Sequence, residues 1–105
     1  MMFEDIGEVD ERPVPPPFMW ACRDCARYLL RLARFWDDPE GCFWEQLQVA
    51  RHVAADHPGD VPPQHLDDCE LCREYARRDD GDAALVWAQH RARDLFMPPS
   101  LARLL

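Results

Sequence analysis

The apolar positions of the chain repeat with the period of an α-helix in four segments. These segments are residues 22–37, residues 43–56, residues 72–78 and residues 83–96. Within them, apolar side chains recur every three or four residues and would share one face of a helix. No segment shows the strict alternation that is typical of a half-buried strand. The sequence therefore predicts a small all-α domain of about four helices, arranged as two helical hairpins.

Turn-forming residues separate the predicted helices. Residues 37–41 read DDPEG and would end the first helix, and residues 57–59 read HPG and would end the second. Residues 79–82 read DDGD, and we expect Asp82 to cap the fourth helix. The positions predicted to face the core are Phe43, Trp44, Leu47, Ala50 and Ala54 in the second helix, and Leu85, Ala88, Ala92, Leu95 and Phe96 in the fourth.

The first 17 residues differ in composition from the rest of the chain. They contain five acidic residues against one arginine, and four prolines. Because prolines lack a backbone donor and favour extended backbone, residues 1–17 are predicted to form a flexible, acidic, Pro-rich arm. A short acidic and apolar motif for a partner is the alternative interpretation. Residues 18–105 would then form a single helical domain, with possible half-repeats at 18–60 and 61–105.

The charge of the chain disfavours nucleic acid as a partner. The 105 residues include 20 acids and 12 arginines and carry a net charge of −8, whereas phosphate contacts favour a basic surplus. Four arginines nevertheless share one narrow stripe of the first helix, as a solvated face or a binding face: Arg23, Arg27, Arg31 and Arg34. No apolar run is long enough for a membrane span and the N-terminus is acidic, so we expect a cytoplasmic protein.

Cysteine and histidine are the residues with the most informative spacing. The chain has five cysteines and four histidines, and four of the cysteines form two Cys-x2-Cys pairs. Two thiolates at this spacing can bind one tetrahedral zinc ion. The residues divide into two candidate Cys2His2 sets: Cys22, Cys25, His52 and His57, and then His65, Cys69, Cys72 and His90.

Several details of this division stay open at the level of sequence. His57 can join the first set only if the helix loosens after His52, which the following Pro-Gly pair favours. The fourth residue of the second set could be His90, Cys42 or His57. The four cysteines of the two pairs could also form a single tetrathiolate site, or only the second motif could bind metal. The chain would accordingly hold one or two zinc ions, while Cys42 is a spare ligand, a reactive thiol or a small core residue.

The order of motifs suggests a weak internal repeat. Each half contains a Cys-x2-Cys pair, a helix, an acidic turn and a second helix that ends near a histidine. Two copies of one hairpin, each opened by a cysteine pair, would explain the pattern, and chance similarity is the alternative. In either case zinc would strengthen the thin core of so small a chain.

Residues 65–74, HLDDCELCRE, resemble the H-x3-C-x2-C signature of bacterial zinc-binding anti-sigma domains. The resemblance covers ten residues. It implies a small helical protein in which this motif and an upstream ligand, here Cys42, hold zinc while the helices bind a sigma factor. It therefore implies a role in transcription regulation through protein–protein contacts.

Catalytic functions find less support in the sequence. A Cys-x2-Cys pair can act in thiol–disulfide exchange, but such a motif follows a strand, and none is predicted before Cys22. No Gly-rich phosphate loop is present, and no residue stands out as a general base for a catalytic zinc. We expect a zinc-stabilised interaction protein that is not an enzyme, with a protein partner that offers a basic surface or is a sigma factor. The alternatives are a nucleic-acid-binding zinc finger that uses the arginine stripe and, less favoured, a redox protein.

Overall fold

The computed structural model of the protein describes residues 12–66 and 68–105. Within these ranges the chain forms six α-helices and no β-strand. Two 3-10 helices, Pro58–Asp60 and Arg93–Leu95, complete the regular structure. The all-α prediction is therefore confirmed, and two short helices are added to the four predicted ones. The α-helices are α1 (Pro17–Ala21), α2 (Arg23–Arg34), α3 (Pro39–Asp56), α4 (Glu70–Arg77), α5 (Gly81–Ala92) and α6 (Pro99–Leu104).

Helices α2 and α3 form the first hairpin. They are antiparallel, because Cys22 at the start of α2 lies beside His52 near the end of α3. The connection between them is tight: a Cβ atom on Gly41 would lie 2.9 Å from Cδ1 of Phe35, so only glycine fits there without a shift. The buried side chains of the pair are Cys25, Leu29 and Leu32 on α2 and Glu45, Gln46, Val49, Ala50, Val53 and Ala54 on α3.

Helices α4 and α5 form the second hairpin on the same plan. Cys69 immediately precedes α4 and lies beside His90 in the last turn of α5. The two hairpins meet where α5 packs against α3. Behind this contact, Phe96, Met97 and Ala102 are buried and extend the core to α6.

Three of the predicted helix boundaries are wrong by two to four residues. Helix α3 begins at Pro39 and not near Phe43, because proline is favoured in the first turn, where its missing N–H costs no bond. The cap of α5 is Asp80 and not Asp82, since the Asp80 carboxylate accepts a 2.7 Å bond from the N–H of Ala83. Helix α5 also gives way to a 3-10 helix at Arg93.

The predicted core face of α3 is only partly correct. Ala50 and Ala54 are buried, but Phe43 and Trp44 are 56% and 55% exposed. Helix α3 packs against both α2 and α5, and the narrow spaces between three helices are filled by smaller side chains such as Val49. On α5, Leu85 was predicted to be inside and is also exposed.

A buried polar group connects the second half of the core to the first. The Arg93 guanidinium donates hydrogen bonds to the Gln46 carboxamide and to the backbone oxygen of Leu105. Gln46 in turn donates to the backbone oxygen of Phe43. Burial lowers the pKa of Arg93 to about 10, so the guanidinium stays charged at neutral pH. Its bonds therefore compensate a buried charge while fixing α3 against the C-terminal segment.

Only part of the predicted N-terminal arm falls within the described residues. Residues 1–11 lie outside them. Residues 12–16 have no helical structure and lie against the domain, with the Arg12 guanidinium 4.3 Å from the centre of the Trp36 ring. In the described part of the chain, no helix combines the length and the apolar character that crossing a membrane requires.

Candidate metal centres

The first cluster lies at the open end of the first hairpin and consists of Cys22, Cys25, His52 and His57. One ligand atom from each residue can be chosen so that all four atoms lie within 4.8 Å of one another. These are the four residues of the first predicted set. The structure therefore brings together two helix ends that are separated by about 30 positions of sequence.

Helix termini position each side chain of the first cluster. Cys22 is the N-cap of α2. Its sulfur accepts a hydrogen bond from the backbone N–H of Cys25, with 3.5 Å between sulfur and nitrogen. This arrangement turns both sulfurs of the pair toward the same side. Helix α3 ends at Asp56, and His57 has non-helical backbone angles, φ −131° and ψ 51°. His57 can therefore converge with His52, as the Pro-Gly pair after it predicts.

His52 presents a nitrogen lone pair to the centre of the first cluster. Oδ2 of Asp56 lies 2.8 Å from Nδ1 of His52, so the proton is held on that nitrogen. Nε2 of His52 is then free to face Sγ of Cys22 at 3.5 Å. Nε2 of His57 is buried and has no hydrogen-bond partner among the described residues.

The two thiols of the first cluster differ in acidity. The N–H of Cys25, with smaller effects of His52 and His57, lowers the pKa of Cys22 to about 6. Burial, followed by the adjacent Cys22 sulfur, raises the pKa of Cys25 to about 12. A divalent cation bound by both sulfurs would lower the pKa of both thiols, because a thiol that coordinates a metal loses its proton.

The second cluster lies at the open end of the second hairpin and consists of His65, Cys69, Cys72 and His90. Sγ of Cys69 is 3.4 Å from Nε2 of His90, and Sγ of Cys72 is 3.4 Å from Nδ1 of His65. The cysteines lie at the start of α4, His90 lies in the last turn of α5, and His65 comes from the preceding loop. The fourth residue is thus His90, and not Cys42 or His57.

Hydrogen bonds surround the second cluster more completely than the first. Oδ2 of Asp94 lies 2.7 Å from Nε2 of His65, which leaves Nδ1 to face the cysteine. Sγ of Cys72 accepts hydrogen bonds from the indole N–H of Trp87 and from the backbone N–H of His65. Such bonds to a sulfur offset part of the negative charge of a thiolate.

His90 is suited to act as an uncharged metal ligand. It is fully buried, and its Nδ1 has no hydrogen-bond partner in the described part of the protein. Burial, followed by the neighbouring His65, lowers the pKa of His90 to about 4. The imidazole is therefore uncharged at neutral pH, which is the form that binds metal ions.

The four paired cysteines divide between the two clusters, and no tetrathiolate forms from them. Cys42 belongs to neither cluster. It lies half-buried in the first turn of α3 and packs against the core, and burial raises the pKa of its thiol. This position corresponds to the core interpretation of Cys42.

Both clusters pass a simple geometric test for tetrahedral coordination. Metal–sulfur bonds near 2.3 Å and metal–nitrogen bonds near 2.0 Å at tetrahedral angles place the two ligand atoms about 3.5 Å apart. The observed sulfur–nitrogen distances are 3.5 Å in the first cluster and 3.4 Å in the second. Each cluster could therefore hold a metal ion with little rearrangement.

Comparison of the chain with protein-family models, with curated proteins and with solved structures finds no match. The geometry of the two clusters and the surface around them are therefore the basis for assigning a function.

Proposed function

We propose that the protein is a zinc-binding interaction protein with two structural Cys2His2 sites, which acts through protein–protein contacts and not through catalysis. The observation that carries this proposal is the presence of two separate Cys2His2 clusters with sulfur–nitrogen distances of 3.4 to 3.5 Å.

Zinc is the ion that best fits the donor set. Two thiolates and two imidazoles in tetrahedral array are typical of structural zinc sites. The carboxylates of Asp56 and Asp94 behind the histidines complete the carboxylate–histidine arrangement common in such sites.

A structural role is favoured over a catalytic one because each cluster supplies four protein ligands. A catalytic zinc needs a coordination position for water or substrate. The Asp56 and Asp94 carboxylates beside the clusters are already engaged with histidines, at 2.8 Å and 2.7 Å.

Apolar side chains on the outer faces support an interaction role. Trp20, Leu30, Trp44 and Leu66 are among the large apolar residues that remain exposed, and exposed aromatic and aliphatic groups are typical of protein interfaces. The resemblance of residues 65–74 adds a sigma factor as one partner to test. Since the second cluster takes His90 from a later helix and not Cys42 from an earlier one, we base the proposal on the clusters and not on that resemblance.

The nucleic-acid alternative rests on the arginine stripe of α2. All four arginines are exposed, but Arg27 pairs with Asp24, and Arg31 makes a two-point ion pair with the buried carboxylate of Glu45. Half of the stripe is thus engaged with acids of this chain, which favours a protein partner over a phosphate backbone.

Native mass spectrometry of the full chain, purified without added metal, tests the zinc assignment. We expect two zinc ions per chain, and one each in Cys22→Ser and Cys69→Ser. Cys42→Ser is the matched control and should keep both ions, because Cys42 lies in neither cluster. A chain without zinc, or a Cys42→Ser variant that loses an ion, would overturn the proposal.

A further inference from the structure

An apolar groove of about 280 Å³ runs between the segment 12–15 and the helices α1 and α2. Trp20 and Leu30 form part of its lining and are 51% and 64% exposed. Val14 lines it from the N-terminal side, and the buried Phe96 lies at its base. The groove thus presents solvent-exposed aromatic and aliphatic surface on both of its sides.

Arginines flank this groove on both sides. Arg12 belongs to its lining. On the other side, Leu30 shares the exposed face of α2 with Arg23 and Arg34, because these positions lie seven residues before it and four residues after it. Among residues 12–66 and 68–105, no carboxylate lines the groove.

The charges beside the groove are not neutralised within the described residues. Arg23 and Arg34 form no ion pair with a carboxylate there, and the Arg12 guanidinium stacks on the Trp36 ring. On α4, by contrast, Arg73 and Arg77 are both paired with acids. The described residues at the groove therefore form a locally basic, apolar surface, which is unexpected on a chain with a net charge of −8.

We propose that this groove binds an acidic amphipathic segment of a partner protein, whose apolar side chains contact Trp20 and Leu30 while its carboxylates pair with Arg12, Arg23 and Arg34. This inference rests on the proposed interaction function and specifies the chemistry of the partner. It reverses the expectation from net charge, which favours a basic partner.

The apolar centre distinguishes a peptide from a nucleic acid as occupant. A phosphate backbone could pair with the arginines, but it has no aliphatic side chains to cover Leu30 and Val14. An amphipathic helix has both features, with apolar groups at positions i, i+3, i+4 and i+7 and acids beside them.

The probe is a fluorescent 15-residue helical peptide with leucines at that spacing and glutamates on the flanking positions. Two matched peptides carry glutamine or lysine in place of every glutamate. Binding to the zinc-loaded full chain is followed by fluorescence anisotropy. We expect the glutamate peptide to bind about tenfold more tightly than the glutamine peptide, the lysine peptide to be weakest, and added salt to reduce this preference.

Protein variants locate the binding surface. Leu30→Glu and the double variant Arg23→Glu/Arg34→Glu should each lower the affinity for the glutamate peptide by about tenfold or more. The matched controls Leu85→Glu and Arg51→Glu change exposed residues on α5 and α3 and should have little effect. Zinc content and circular dichroism of each variant establish that its fold is retained.

The outcomes separate this inference from the zinc proposal. Failure of the glutamate peptide to bind at about 1 mM overturns the inference, as does equal binding of the lysine peptide or an equal loss in Arg51→Glu. Tighter binding of a DNA duplex than of any peptide also overturns it. In each of these cases a count of two zinc ions per chain would leave the zinc assignment standing.

Discussion

At the scale of single residues, each cluster has one histidine that is held by a carboxylate. Asp56 and Asp94 each lie within 2.8 Å of the histidine nitrogen that faces away from the cysteines. A carboxylate in this position fixes the tautomer and the ring orientation and raises the basicity of the coordinating nitrogen. These two aspartates should therefore contribute to metal affinity without touching the metal.

Replacing Asp94 by asparagine tests this contribution at the second cluster. We expect the zinc affinity of that cluster to fall by about 10- to 100-fold, because the amide cannot supply the negative charge beside His65. Competition with a chromophoric chelator measures the affinity of each site. Asp82→Asn, an exposed change on α5, is the control. Equal affinities in Asp94→Asn and Asp82→Asn would show that the Asp94 carboxylate plays no such role.

Residue type and spacing were sufficient to select the eight residues that gather in the two clusters, but not the residues that support them. Asp56 could have been found, since it lies four positions after His52 on one helix. Asp94 meets His65 across 29 positions, and Trp87 meets Cys72 across 15. Contacts of this kind depend on how α4 and α5 pack, which no local pattern encodes.

At the scale of elements, the two halves of the described chain share one design. In each half, a Cys-x2-Cys pair opens the first helix of a hairpin and a histidine lies at the end of the second helix. Helical periodicity was sufficient to predict this architecture. It did not predict which face of α3 is buried, because that helix has apolar residues on two faces. Its packing against both α2 and α5 buries the face with the smaller side chains.

The N-terminal cap of α5 makes a testable contribution to stability. Asp80→Ala removes the carboxylate that accepts a hydrogen bond from the N–H of Ala83. This substitution should lower the free energy of unfolding by about 1 kcal/mol. Asp82→Ala, two positions later, should cost less than about 0.5 kcal/mol, because it removes only an interaction with the helix dipole. Urea unfolding of the zinc-loaded variants measures both values. A larger loss in Asp82→Ala would restore the assignment that the sequence alone suggested.

At the scale of the whole molecule, the clusters and the core hold different parts of the fold together. Each cluster joins the two helix ends at the open end of a hairpin. The core between them depends on small residues such as Val49 and Ala50, on Phe96 and on the buried Arg93–Gln46 bond. A chain of about 100 residues buries a limited apolar area, so this core supplies modest stability without the clusters.

Removal of metal should therefore unfold much of the protein. Structural zinc binding contributes about 10–16 kcal/mol per site at neutral pH, which equals or exceeds the stability of about 5–15 kcal/mol that is usual for a small domain. We expect a strong chelator, added under reducing conditions, to abolish most of the helical circular dichroism signal, and added zinc to restore it. Cys42→Ser should respond in the same way as the native chain, since its side chain lies outside both clusters. If the metal-free chain kept its helical signal and a cooperative thermal transition, packing of α3 against α2 and α5 would be enough to hold the fold, and the clusters would serve a purpose other than stability.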